Sequence, residues 1–276
     1  MKNSKGGIEI IILLIVIIGS FAFVGGFSPL KKAPLLDNSV FQIQISPGAD
    51  SKKSLQLKTL KFSKKCSEQI TVDLLLDRSG SMGNLTPTRQ TKIARLKEAV
   101  LALTAKLSDT SVIGIQSFDS RSRTDDVPIS YYKDVKGIIS SRVNALSAGQ
   151  QTPTHDALAF SYQKLSAAIP QFPGRQFNFV LVSDGAPCPG VGCTDQPGAN
   201  QDPRLYSPNP ADQIKALGIN VYTLGIYDRN QADKPALSDL LKSIASKPEN
   251  YYEAQTGDQT TKLLEAILEK ICDQAN

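Results

Sequence analysis

The chain has 276 residues, 41% hydrophobic and 21% charged, the balance of an ordinary globular protein long enough to bury a stable core. Its net charge of +5 comes from scattered basic residues with no block of five or more like charges, so a nucleic-acid partner has no support and none is expected. Tryptophan is absent and only two methionines occur, so no aromatic or Met-rich binding surface stands out.

The first element is GGIEIIILLIVIIGSFAFVGGF. It carries no charge from Ile10 to Val24, and with Ile8 and Phe27 the apolar stretch reaches about twenty residues, the length that crosses a hydrocarbon core. Residues 1–27 are therefore expected to be an N-terminal transmembrane anchor, with residues 8–27 in the membrane. A cleaved signal peptide is the competing reading, but its best small pair, Ser20 and Ala22, lies inside the apolar run. Lys2 and Lys5 favour an inside N-terminus, while Lys31 and Lys32 on the far side blunt that bias. Residues 28–65 follow as a Pro/Gly/Lys-rich stalk or linker. Within it VFQIQI and LQLKTLKF alternate apolar and polar residues, as short half-buried strands do.

From residue 66 the pattern is that of a single domain. ITVDLLLD (70–77) is a strand, and KIARLKEAVLALTAKLS (92–108) an amphipathic helix with Ile93, Leu96, Val100, Leu103 and Leu107 on one face. SVIGIQSF (111–118) is a strand, VPISYY (127–132) a short edge strand, and DVKGIISSRVNAL (134–146) and THDALAFSYQKLSAAI (154–169) are helices. FNFVLVSD (177–184) is a strand, PADQIKALG (210–218) a helix ending on glycine, and INVYTLGIY (219–227) a strand. KPALSDLLKSIAS (234–246) is a helix, NYYEA (250–254) a short strand, and TTKLLEAILEKICDQ (260–274) the last helix. Near-continuous apolar strands between helices predict an α/β fold: a Rossmann-like, doubly wound, mostly parallel sheet with helices on both faces.

Four cysteines occur, Cys66, Cys188, Cys193 and Cys272, without a CxxC pair and with His155 as the lone histidine. The Cys and His ligands of a structural zinc site are therefore lacking, and four cysteines allow three disulfide pairings. Cys188 and Cys193 lie in the polar loop APCPGVGCTDQPG, a poor place for buried thiols. Bonded cysteines imply an oxidising, extracytoplasmic location. An enzyme is not expected. A Ser/His/Asp hydrolase needs a base and a GxSxG elbow, and phosphate chemistry needs a GxxxxGK[ST] loop; neither motif is present.

In a doubly wound sheet, ligands bind beyond the carboxyl ends of the strands where strand order reverses. Asp77 and Asp184 each end a strand. After Asp77, Ser79 and Ser81 stand at alternate positions, which align in an extended segment, and Gly80 is expected to let the backbone bend between them. Hydroxyl and carboxylate oxygens gathered this way suit a hard divalent cation.

The combination of DRSGSM, a Thr before a D-A-L helix and a strand ending in SDG resembles the von Willebrand factor A (vWA) domain with its metal-ion-dependent adhesion site (MIDAS), over roughly residues 68–273. The resemblance implies that Ser79, Ser81 and Thr152 bind the metal directly and that Asp77 and Asp184 bind it directly or through water. It implies Mg²⁺, Mn²⁺ or Ca²⁺, and a carboxylate of a protein partner in the open coordination position. One departure stands out: Gln150-Gln151 replace the usual Gly-Gly before Thr152, which leaves Thr154 as an alternative ligand. The resemblance also implies a central first strand with the last helix beside it, and hence a Cys66–Cys272 bridge with Cys188–Cys193 as the second. Closing so long a loop is worth roughly 4–5 kcal/mol in the chain-entropy model. In relatives that switch affinity the last helix slides, so such a bridge would fix one state. The function expected is a membrane-anchored, extracytoplasmic module for adhesion or assembly. The alternative is a structural subunit of a pilus-like or envelope assembly in which the metal only stabilises loops.

Overall fold

Four strands form where the sequence is apolar at nearly every position: β1 (Thr71–Asp77), β2 (Val112–Phe118), β4 (Phe177–Ser183) and β5 (Asn220–Ile226). These come from a computed structural model that describes residues 70–189, 200–228 and 231–274. The expected anchor at 8–27, the stalk at 28–65, Cys66 and Cys193 lie outside the described residues. Among the described residues no helix is long and apolar enough to cross a membrane.

Successive strand residues point to opposite faces, and here both faces are apolar. On one, Val72, Leu74 and Leu76 of β1 and Val180 and Val182 of β4 meet three helices: α1 (Lys92–Thr104), α2 (Tyr132–Ala145) and α6 (Thr260–Gln274). On the other, Leu75, Phe179 and Leu181 meet α3 (Thr154–Ala168), α4 (Pro210–Ala216) and α5 (Lys234–Ile244). Each large apolar side chain buried this way contributes about 1.5–3 kcal/mol, and two cores on one sheet fix the register of every strand.

The sheet order is β3-β2-β1-β4-β5-β6, with β3 (Arg123–Tyr131) and β6 (Tyr251–Ala254) at its edges. All neighbours run parallel except β2 and β3. β3 departs from the sequence reading at both ends: it starts earlier, on the polar stretch RTDD, and Tyr132 already begins α2. An edge strand antiparallel to β2 gains its backbone ladder without an apolar face, so its polar half carries no hydrophobic signal. α1 stops at Thr104, short of the expected Ser108, but Leu107 remains buried in the turn that follows.

The chain leaves β1 towards β2 and β3, then crosses back to β4 on the other side. The carboxyl ends of β1 and β4 therefore flank the point where strand order reverses, and a crevice opens there.

Candidate metal centre

Asp77 closes β1 and is fully buried. The Ser79 amide donates to its Oδ1 at 2.7 Å, and the Ser183 hydroxyl, from the end of β4, donates to its Oδ2 at 2.6 Å. Ser79 is followed by a 3₁₀ turn, Gly80–Gly83, anchored by buried Met82. That turn, rather than the alternation of an extended segment, brings the Ser79 and Ser81 hydroxyls within 3.1 Å of each other. Asp184 follows β4 and turns its Oδ1 to the same point, accepting from Ser81 Oγ at 2.7 Å and from Ser79 Oγ at 3.5 Å.

A third loop completes the cluster. Gly149 N donates to the Arg78 carbonyl at 2.5 Å, and Gly80 N to the Gln150 carbonyl at 2.6 Å. A Cβ on Gly80 would lie only 3.1 Å from that Gln150 oxygen, so close approach of two loops, not a backbone bend, is the reason for glycine here. The loop delivers Thr152 to the crevice wall. A Cβ on Gly185 would sit 3.0 Å from Thr152 Oγ1 and 3.6 Å from Ser81 Oγ, so both hydroxyls border the same bare stretch of backbone. Thr154 heads α3 instead; its Oγ1 is buried, has no hydrogen-bond partner and does not line the crevice. Ser79, Ser81 and Asp184 are thus in direct contact, Asp77 is one hydrogen bond behind them, and Thr152 lines the same crevice across Gly185.

Several members were missed in the sequence. Lys92, the first residue of α1, is 1% exposed, and its Nζ lies 2.8 Å from Asp184 Oδ2 and 2.7 Å from Asp228 Oδ2. A lysine in a first helical turn opposes the helix dipole, which was the one available hint that it had a local partner. Ser183, next to a recognised motif residue, was read only as part of the strand. Gln231 Nε2 supports the crevice by donating to the Asp184 carbonyl at 2.7 Å.

The electrostatics follow from this crowding. Burial, reinforced by the Asp184 charge, pushes the Asp77 carboxyl up to about 7, against the hydrogen bonds from Ser183 and Ser79. Burial raises Asp184 as well, while Lys92 pulls it back. Burial on its own would lower Lys92, but Asp184 and Asp228 outweigh it and hold the ammonium above its ordinary value. Two carboxylates thus face each other in a site short of positive charge. Together with three hydroxyls they fit a hard divalent cation held by oxygen alone. Among the described residues no group of three or more His, Cys, Asp or Glu is placed to hold a metal ion. The crevice above the cluster measures about 580 Å³ and is walled by Gln150, Gln151, Ala186, Pro187 and Asp233 among others. His155 stacks on Tyr206, with ring centroids 3.7 Å apart, outside that crevice.

The sequence model for the von Willebrand factor type A domain matches residues 72–266. Comparison with curated proteins finds no match. Among solved structures the chain is similar to the pilus adhesin SpaC from Lactobacillus rhamnosus GG, with a TM-score of 0.60 and 15% identity over 75% of this chain and 31% of that one. It is similar to proximal thread matrix protein 1 from the mussel byssus, solved with a zinc-occupied MIDAS motif, with a TM-score of 0.56 and 18% identity over 75% and 49% of the two chains. It is also similar to the vWF domain of the type V pili tip protein Mfa5 from Porphyromonas gingivalis, with a TM-score of 0.53 and 14% identity over 75% and 95%. The chain spans less than half the length of SpaC and of the byssus protein, and at these identities the likeness speaks to the fold. The family match covers well over half of the sequence and the fold agrees with it: the chain belongs to the von Willebrand factor type A domain family.

Proposed function

We propose that this vWA domain is a non-catalytic protein-binding module that holds a divalent cation through Ser79, Ser81, Thr152, Asp77 and Asp184. The cation would supply an open coordination position for a carboxylate of a protein partner. The observation that carries the reading is the convergence of the Ser79, Ser81 and Asp184 oxygens at the floor of an open crevice. Similarity to proteins named as a pilus adhesin and a pilus tip protein supports a role in adhesion or assembly. Lys92 and the hydroxyls do not make a nucleophile–base pair, and the lone histidine lies elsewhere.

The reading includes display outside a membrane on an anchor at residues 8–27. It also includes Cys66–Cys272 and Cys188–Cys193 bridges. Cys188 sits at the crevice, where its amide donates to the Thr152 carbonyl. Cys272 is buried near the end of α6, where Gln274 meets Tyr222 towards the start of β5. The two lie at opposite ends of the sheet, which favours separate partners. Non-reducing peptide mapping should return Cys66–Cys272; a peptide linking Cys66 to Cys188 or Cys193, or four free thiols, contradicts the pairing.

The functional test is a pull-down of surface proteins with and without chelator. Capture that depends on divalent cations is expected. Capture that survives chelation favours the second reading, a structural subunit of a pilus-like assembly, which the likeness to the Streptococcus sanguinis minor pilin PilB supports.

A further inference from the structure

Lys92 has no part in the ligand set, yet it is the most deeply buried charge partner of that set. Its ammonium bridges Asp184 Oδ2 and Asp228 Oδ2, and its stem packs where a Cβ on Gly257 would come within 3.3 Å of its Cγ. Asp184 therefore has one oxygen, Oδ1, facing the hydroxyls and the other tied to an ammonium. Asp77 is tied on both sides, by Ser79 N and Ser183 Oγ. A carboxylate oxygen that accepts one hydrogen bond keeps a second lone pair, so the bonds on Asp77 do not by themselves close it; a cation on Asp184 Oδ2, however, would share that oxygen with the Lys92 ammonium and be repelled by it.

This limits which cation the cluster suits. Ca²⁺ takes six to eight oxygens in flexible geometry and often uses both oxygens of a carboxylate, whereas Mg²⁺ takes six at shorter distance and keeps several waters. We propose that Lys92 is a specificity-determining residue: by occupying Asp184 Oδ2 it restricts that carboxylate to a single oxygen and biases the site against Ca²⁺ relative to Mg²⁺. The inference rests on the metal-binding reading above. Lys92 also offsets one negative charge beside the site, so it lowers affinity for both ions; the selectivity comes from the oxygen it withholds.

The test is calorimetric titration of the purified full-length protein with Mg²⁺ and, separately, Ca²⁺. Lys92→Met removes the ammonium and keeps an apolar stem. Its Ca²⁺ affinity is expected to rise about tenfold, the worth of about 1.4 kcal/mol, and its Mg²⁺ affinity by clearly less. A melting curve without metal reports whether the variant folds. Lys92→Met/Asp228→Asn removes one charge of each sign, leaving local net charge unchanged, and is expected to show the same shift towards Ca²⁺. This double variant carries the test if the single one does not fold. A Mg²⁺/Ca²⁺ affinity ratio that stays at the wild-type value, or moves towards Mg²⁺, overturns the proposal while the metal site stands. Wild-type protein that binds neither ion overturns the metal-binding reading itself.

Discussion

β1 carries two buried carboxylates four residues apart, and they differ in everything but burial. Asp73, in mid-strand, has one oxygen on the Gln116 amide, which is itself held by Ser161 Oγ at 2.9 Å, and its other oxygen has no hydrogen-bond partner. Burial, with the Asp125 charge behind it, holds its carboxyl well above the ordinary range. Asp77, at the strand end, has both oxygens donated to, a second carboxylate across from it and a crevice above. Both are unfavourable as anions in an apo domain. Only Asp77 stands where a cation could arrive and find other oxygens. Burial of a charge therefore marks cost; convergence at an opening marks a site.

The comparison breaks most visibly through the one ammonium. Removing Lys92 leaves Asp184 buried without its charge partner. Lys92→Met is expected to cost about 3–5 kcal/mol of unfolding free energy without divalent ions, read from denaturant titration. A loss below about 1 kcal/mol would mean that Asp184 is as tolerant of isolation as Asp73.

Acidity separates the two carboxylates next. A bound cation needs Asp77 deprotonated, and that carboxyl is pushed up to about 7, so apparent Mg²⁺ affinity should fall by up to about tenfold per unit as pH drops below about 7. Calorimetry between pH 8 and pH 5.5 checks this; a flat profile contradicts it. Apo stability should run the other way. A carboxyl whose folded pKa exceeds its unfolded value near 3.9 favours folding when protonated, so its contribution is lost as pH rises from about 4 towards the folded value.

Asp73→Asn isolates the part of that loss that has nothing to do with a metal. The variant should be more stable than wild type at pH 7, because burial disfavours the Asp73 anion, and the difference should disappear below pH 4. Its Mg²⁺ affinity should not change. The smallest expected effect is at the crevice wall. Gly185→Ala places a Cβ 3.0 Å from Thr152 Oγ1, and a few-fold loss of Mg²⁺ affinity with little change in melting temperature should follow.

Much of this was legible in the sequence, for identifiable reasons. β1, β2, β4 and β5 are apolar on both faces, so their runs stood out, and Asp77 and Asp184 were conspicuous as the charges that end two of them. The hydroxyls at 79 and 81 could be read from their spacing, whereas Thr152 came from the family resemblance, with Thr154 as its alternative. Gly80 was noticed for the wrong reason, because a close approach between loops distant in sequence leaves no local trace. Lys92 looked like an ordinary solvated helix charge, since both its partners are brought to it only by the folded sheet. The polar start of β3 was missed because edge pairing depends on backbone, not side chains.

The most direct measurement is a calorimetric titration of Mg²⁺ into wild-type protein and into Asp77→Ala at pH 8, each with a melting curve without metal. The expected result is one binding event in wild type and none in Asp77→Ala, with the variant still folded without metal. Equal Mg²⁺ binding by both proteins, or none by wild type, would contradict a metal centre at the carboxyl ends of β1 and β4.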